Sequence, residues 1–246
     1  LDTVLQKLGQ RLVSKLDKPL FKYEFYLIDM PEPNAFALPG GKIFVTRGLL
    51  LLPLTEDELA GVIGHEIIHA NNRHSVKQQR TNILGTIIAI PGLIIGGLLP
   101  GDVGQAAASP FLLTNALITS SYSRGHESES DRQGIKLAAE SGYQPLELAE
   151  ILSRLNDEAE FLTGEEEEQS YFSSHPYTPK RVKAIEKEAA KLTVSQMPHV
   201  VEPAQFLPLF NNLLASHNPT NGFTAPSGTF YQPTHLYSIQ LGDAWV

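Results

Sequence analysis

The chain has 246 residues, 42% hydrophobic and 19% charged, a balance that supports a buried core and argues against wholesale disorder. Its 19 Lys and Arg against 27 Asp and Glu leave a net charge of -8, which opposes binding to nucleic acid or to an anionic lipid surface. There is no cysteine, so a disulfide framework, a thiolate metal site and a cysteine nucleophile are excluded, and any metal must be held by His and carboxylate.

The first segment, LDTVLQKLGQRLVSKL, lacks the basic start and continuous apolar core of a signal peptide. It reads as an amphipathic helix with Val4, Leu5, Leu8, Leu12, Val13 and Leu16 along one stripe. A first residue of Leu rather than Met suggests a trimmed form whose targeting segment is not shown. Tyr23 to Asp29 reads as a strand. Asn34 to Leu38 and Lys42 to Thr46 read as the arms of a hairpin around a turn at Gly40 and Gly41. TEDE, Thr55 to Glu58, matches a capping box and opens a helix predicted to run to about Arg73. Its apolar residues Leu59, Val62, Ile63, Ile67 and Ile68 recur at helical intervals, which predicts that it is largely buried.

That helix carries HEIIH. His65 and His69 are four residues apart, about 40° around the axis from one another, so both imidazoles can reach one ion, with Glu66 on the flank. His74, nine positions after His65 on the same predicted helix, falls on the opposite side, and a structural or capping role near the helix end is expected for it. The most apolar stretch, the 17 residues Ile83 to Leu99, sits at the lower limit for a membrane span and is interrupted by Pro91, Gly92, Gly96 and Gly97. A buried or re-entrant hairpin is the first reading, ahead of a membrane-touching or mobile lid and a true span.

A further helix opens near Ser123 and closes at Gly142. Glu127 and Asp131 are four apart on it. Either Glu127 binds a metal while Asp131 accepts the N–H of a ligand imidazole, or both belong to an exposed acidic stripe with Glu129. His126, one position before Glu127, should point elsewhere. Helices are also predicted over Pro145 to Glu160 and Thr178 to Lys191, the latter with Thr178 as N-cap and Pro179 at its first position. Glu165 to Glu168 read as a solvated loop. From about Thr193 the chain turns rich in Pro, Gly, Asn and Thr, so residues 1–192 are expected to form the main domain and 193–246 an irregular C-terminal extension. The predicted fold class is α+β, mainly helical, with a small antiparallel or mixed sheet beside the HExxH helix.

HEIIH, SRGHESESD and HPYTPKR, in that order and preceded by NAFALPGGKIFVTRGLL, resemble the signature of the zinc metallopeptidases of peptidase family M48, a group that includes prenyl-protein CAAX proteases, HtpX-type proteases and bacterial periplasmic relatives. The likeness covers about Asn34 to Lys191. It implies a zincin-like fold and one Zn2+ per chain on His65, His69 and Glu127. Glu66 is then the catalytic base for a zinc-activated water, Asp131 the partner of a ligand imidazole, and His175 and Arg181 neighbours of the site. Ser130 stands where many relatives carry Ala. The several membrane spans of the prenyl-protease branch are absent from this sequence, so prenylated substrates are not expected.

The expected activity is that of a zinc metalloendopeptidase acting on extended or misfolded protein. His175 would supply an oxyanion donor, or occupy the open position of zinc in a resting state, and Arg181 would orient the loop or help to bind substrate. The strand segment Gly41, Lys42, Ile43, Phe44 and Val45 would pair with an extended peptide by edge addition. The rival reading is a zinc-binding chaperone or assembly factor on the same scaffold. A third is a membrane-interacting protein built around Ile83 to Leu99. The expected partners are protein or peptide substrates and no nucleic acid, with a peripheral membrane contact through Ile83 to Leu99, and the family suggests the bacterial periplasm or cell envelope.

Overall fold

The computed structural model describes residues 2–78, 121–162, 171–195, 203–210, 213, 223–224, 229–232 and 237–240. The expectations for Ile83 to Leu99 and Glu165 to Glu168 lie outside these residues. The apolar stripe of helix α1 (Asp2–Val13) buries Leu5, Leu8 and Leu12 beside strand β1 (Glu24–Ile28). β2 (Ala35–Leu38) and β3 (Lys42–Thr46) form the predicted antiparallel hairpin, with Gly40 and Gly41 at φ 98° and 85° in its turn. β1 adds in parallel to the other side of β3, so the sheet is mixed, in the order β1-β3-β2.

This order corrects one expectation. β3 is the central strand, paired along both edges, so Gly41 to Val45 cannot take up a substrate strand by edge addition. The strand alternation is as predicted, with Phe25, Ala35, Ala37, Ile43 and Val45 buried on the face toward the helices. On the other face Tyr26, Phe44 and Phe36 stack across the three strands, at ring separations of 5.1 and 5.3 Å.

A short helix α2 (Arg47–Leu50) follows, capped by Thr46. Helix α3 (Glu56–Asn71) starts at the predicted box: Thr55 accepts from the Glu58 amide, and the Glu58 carboxylate reaches back to the Thr55 amide. Every residue from Glu58 to Ala70 is buried, because α3 is packed by the sheet, by α4 (Arg124–Glu140, capped by Ser123) and by α5 (Glu147–Leu162). α3 and α4 approach unusually closely where Gly64 meets Gly134: a Cβ on Gly64 would stand 3.1 Å from the Gly134 carbonyl oxygen. That contact lays the first turns of α4 over the histidines of α3.

The chain then adds α6 (Tyr171–Ser174) and α7 (Pro179–Ala189), the latter with the predicted Thr178 cap and proline start. The extension beyond Thr193 is not wholly irregular. Phe206, closing α8 (Pro203–Phe206), and Phe210, in the 3-10 turn Leu207–Phe210, are buried in the main core. β4 (Phe223–Thr224), β5 (Thr229–Gln232) and β6 (Tyr237–Gln240) form an antiparallel meander. Short runs of β-branched and aromatic residues form the strands, while the Pro and Gly between them had suggested only turns. The result is an α+β, mainly helical fold with a small mixed sheet beside α3. No helix among the described residues is long and apolar enough to cross a membrane.

Candidate metal centre

α3 holds His65, Glu66 and His69 in its buried centre, at 0%, 0% and 1% exposure. Their helical spacing brings His65 Nε2 within 2.9 Å of His69 Nε2. From α4, Glu127 sets Oε1 3.2 Å from His69 Nε2 and Oε2 3.6 Å from His65 Nε2. The turn after α6 supplies His175, whose Nδ1 lies 3.2 Å from His65 Nε2 and 3.1 Å from Glu127 Oε1.

Donor atoms of His65, His69, Glu127 and His175 therefore all lie within 4.8 Å of one another, and all four residues are buried. Four ligands at about 2.0–2.1 Å around a tetrahedral ion would be spaced about 3.3–3.4 Å apart, so separations of 2.9 to 3.6 Å fit one ion of that size. Three imidazoles and a carboxylate, with no thiolate, are the donor chemistry of a borderline divalent cation such as zinc.

The groups around these donors hold them in place. Asp131, one turn after Glu127, lies with Oδ1 2.9 Å from His65 Nδ1, which leaves Nε2 of that ring as the free donor. Arg181, on α7, donates from Nε and Nη2 to the two Asp131 oxygens at 2.7 and 2.9 Å, and its Nη1 is 2.7 Å from Glu127 Oε2. Nη1 also donates to the carbonyls of His175 and Pro176. This buried guanidinium ties α4 to the turn bearing His175, which supports its orienting role. Its donors are engaged inside the protein, so the structure does not support a substrate-binding role for it.

Burial would raise the Glu127 carboxyl, but His175, His65 and His69 outweigh it and hold the group well below the usual carboxylate range. Burial, with His65 close by, pushes His69 well below the ordinary imidazole value, which favours the neutral ring. Glu66 is shifted the other way: burial raises it, opposed by His175 and His65. Its Oε1 is 3.3 Å from His175 Nε2, and among the described residues neither of its oxygens makes a well-aligned hydrogen bond.

Two features escaped the sequence reading. Tyr122 lies over His69 at a ring separation of 4.0 Å, and Tyr171 stacks on His175 at 4.5 Å, so aromatic walls flank the donors. His74 is not opposite the histidines. α3 stops at Asn71, Arg73 takes a left-handed φ of 55°, and the ring of His74 returns to lie with Nδ1 3.1 Å from His69 Nδ1. Helical periodicity carries no sign of such a reversal at an arginine. The spacing of Glu127 and Asp131, four apart on one helix, together with the resemblance of SRGHESESD to the family signature, was the signal that did locate Glu127.

The model of the family described as Peptidase family M48 matches residues 1–189. The chain is 32% identical over 161 residues to the beta-barrel assembly-enhancing protease of Escherichia coli K12, covering 64% of this chain and 33% of that one. It is 29% identical over 205 residues to the protein of the same name from Yersinia pestis, covering 82% and 40%. It is 33% identical over 181 residues to the mitochondrial metalloendopeptidase OMA1 of Schizosaccharomyces pombe, covering 72% and 50%. The matched region thus spans half or less of the length of these relatives.

Proposed function

The chain belongs to peptidase family M48, and from that premise we propose that it is a zinc-dependent metalloendopeptidase. The observation that carries the reading is the convergence of His65, His69, Glu127 and His175 on a space the size of one cation, with Glu66 beside it. A divalent ion held there supplies Lewis acidity toward water and a peptide carbonyl. Glu66 is the proton carrier. Burial raises its proton affinity, so it can take a proton from the attacking water and deliver it to the leaving amine.

A four-donor set closes an ion, whereas a hydrolytic ion keeps one position open. His175 is the donor best suited to leave, since it comes from the short turn between α6 and α7 while the other three sit in long helices. We therefore assign His175 to the resting state as fourth ligand and, once displaced, to the stabilisation of the oxyanion. Asp131 fixes the tautomer of His65, and Arg181 positions Asp131 and the turn.

An extended substrate would pair with an edge strand rather than with β3. β2 is such an edge among the described residues, and the carbonyl of Pro33, just before it, accepts from the amide of Tyr171, whose ring stacks on His175. Backbone pairing selects extended or unfolded chains over one sequence, which suits the removal of misfolded or unassembled protein. The bacterial relatives are named for enhancing β-barrel assembly, and we carry over β-barrel proteins in assembly as one such class, with the bacterial cell envelope as the proposed place of action.

Glu66→Gln tests the reading. Cleavage of unfolded casein should fall by about 100-fold or more, with one metal ion still bound per chain. Equal cleavage by both proteins, or none by either, would overturn it.

A further inference from the structure

Resting on the reading of His69 as a metal ligand, we infer that His74 is a positioning residue that fixes the tautomer of His69 through a hydrogen-bonded chain ending at Glu129. The two α3 histidines differ in what stands behind them. His65 has a carboxylate directly at Nδ1, that of Asp131. At Nδ1 of His69 stands the imidazole of His74, 3.1 Å away, and His74 Nε2 lies 3.2 Å from Glu129 Oε2. His74 has 0% exposure, and Glu129 closes the chain at the surface. The other oxygen of Glu129 accepts from Asn72 Nδ2 and Gln133 Nε2, both at 3.0 Å, so the end of the chain is itself anchored.

Proton counting sets the direction. If His69 Nε2 gives its lone pair to an ion, Nδ1 must carry the proton, and the acceptor in reach is His74 Nδ1. The proton of His74 then sits on Nε2, where Glu129 accepts it. Ser130 Oγ, 3.2 Å from His74 Nδ1, can donate to that lone pair as well, so it is compatible with this tautomer. The opposite arrangement would place a proton on His69 Nε2, facing the other donors, and would exclude ligation. Glu129 thus serves His69 through His74 as Asp131 serves His65 directly.

The backbone is arranged for this contact. Arg73 holds a left-handed φ of 55°, unusual for a residue with a side chain, and helical backbone resumes at His74. On a continued α3 the ring would point away from His69. Instead it meets His69 edge-on, with ring centres 4.9 Å apart, and stacks on His126 at 4.4 Å. Both ring nitrogens address side chains, which a helix-capping role does not require.

The test compares the native protein with His74→Leu, His74→Gln and Glu129→Ala. The Zn2+ dissociation constant is measured by chelator competition, the melting temperature of the metal-free form by calorimetry, and the His69 tautomer by 15N–1H correlation. We expect His74→Leu to bind one Zn2+ about 10- to 100-fold more weakly and to lose the single His69 tautomer. His74→Gln, whose amide can accept and donate, should recover most of the affinity. Native affinity in a His74→Leu protein whose metal-free form melts like the native one would overturn the inference. Should that variant not fold, Glu129→Ala decides, with several-fold weaker binding expected and unchanged binding contrary. If the native protein itself binds no Zn2+, the metal-centre reading fails first, which separates the two failures.

Discussion

Gly134 lies so close to His65 that a Cβ on it would stand 3.0 Å from the His65 backbone nitrogen and 3.1 Å from its Cα. The glycine pair at this crossing sets how near Glu127 and Asp131 come to the histidines. Gly134→Ala should therefore force α3 and α4 apart, lowering stability by about 1–3 kcal/mol and weakening Zn2+ binding. Gly125→Ala is the control: among the described residues its new Cβ would meet only Ser123 Oγ at 3.8 Å, so stability should hold or rise slightly. Thermal melts and chelator competition on both variants check this.

Arg181 is the one cation bonded to both Asp131 and Glu127 among the described residues. Arg181→Met should destabilise the metal-free protein by about 3–5 kcal/mol, because two buried carboxylates lose their counter-charge. Arg181→Lys should recover only part of that loss, since an ammonium cannot span both Asp131 oxygens as the guanidinium does. Urea denaturation in chelator measures both.

His175→Ala removes the fourth donor. The expected result is weaker metal retention together with slower turnover of a short unstructured peptide, because the oxyanion donor is lost along with the fourth ligand. A fall in turnover with unchanged metal affinity would instead assign His175 to oxyanion stabilisation alone. Initial rates at saturating metal make the comparison.

Glu147 gives a pH prediction. Burial, then the nearby charges of Glu58, Asp57 and Glu150, raise its pKa above the usual carboxylate value. A carboxyl whose folded pKa exceeds its unfolded one binds the proton better when folded, so its contribution to stability falls as pH rises through that window. Glu147→Gln should therefore raise the melting temperature at pH 7, and the gain should vanish below the unfolded carboxylate value of about 4.3. Melts across that range read the sign.

Local chemistry was legible in the sequence and path-dependent geometry was not. The Thr55 box, the Thr178 and Pro179 start and the spacing of Leu59, Val62, Ile63, Ile67 and Ile68 depend only on neighbours within a turn or two, and each was readable. Glu127 and Asp131 share a helix face, but spacing alone left them open to a surface role, and the resemblance resolved it. The position of β3 depended on β1 crossing to its far side, a long-range choice that alternation does not encode. His74 was misplaced for a smaller reason: one left-handed residue ended the helix two positions early. Phe206 and Phe210 were hidden because isolated aromatics in a Pro-rich stretch give no periodic signal.

The four donors come from three stretches of chain, with His65 and His175 separated by 110 positions. An ion bound there acts as a clasp that the unfolded chain cannot close, so occupancy feeds directly into lifetime. By mass action, each tenfold rise in free metal above the dissociation constant adds about 1.4 kcal/mol to the unfolding free energy. A cell starved of that metal would hold a looser population, more readily cleared by other proteases, and nutrient supply would set the abundance of the enzyme without any dedicated regulator.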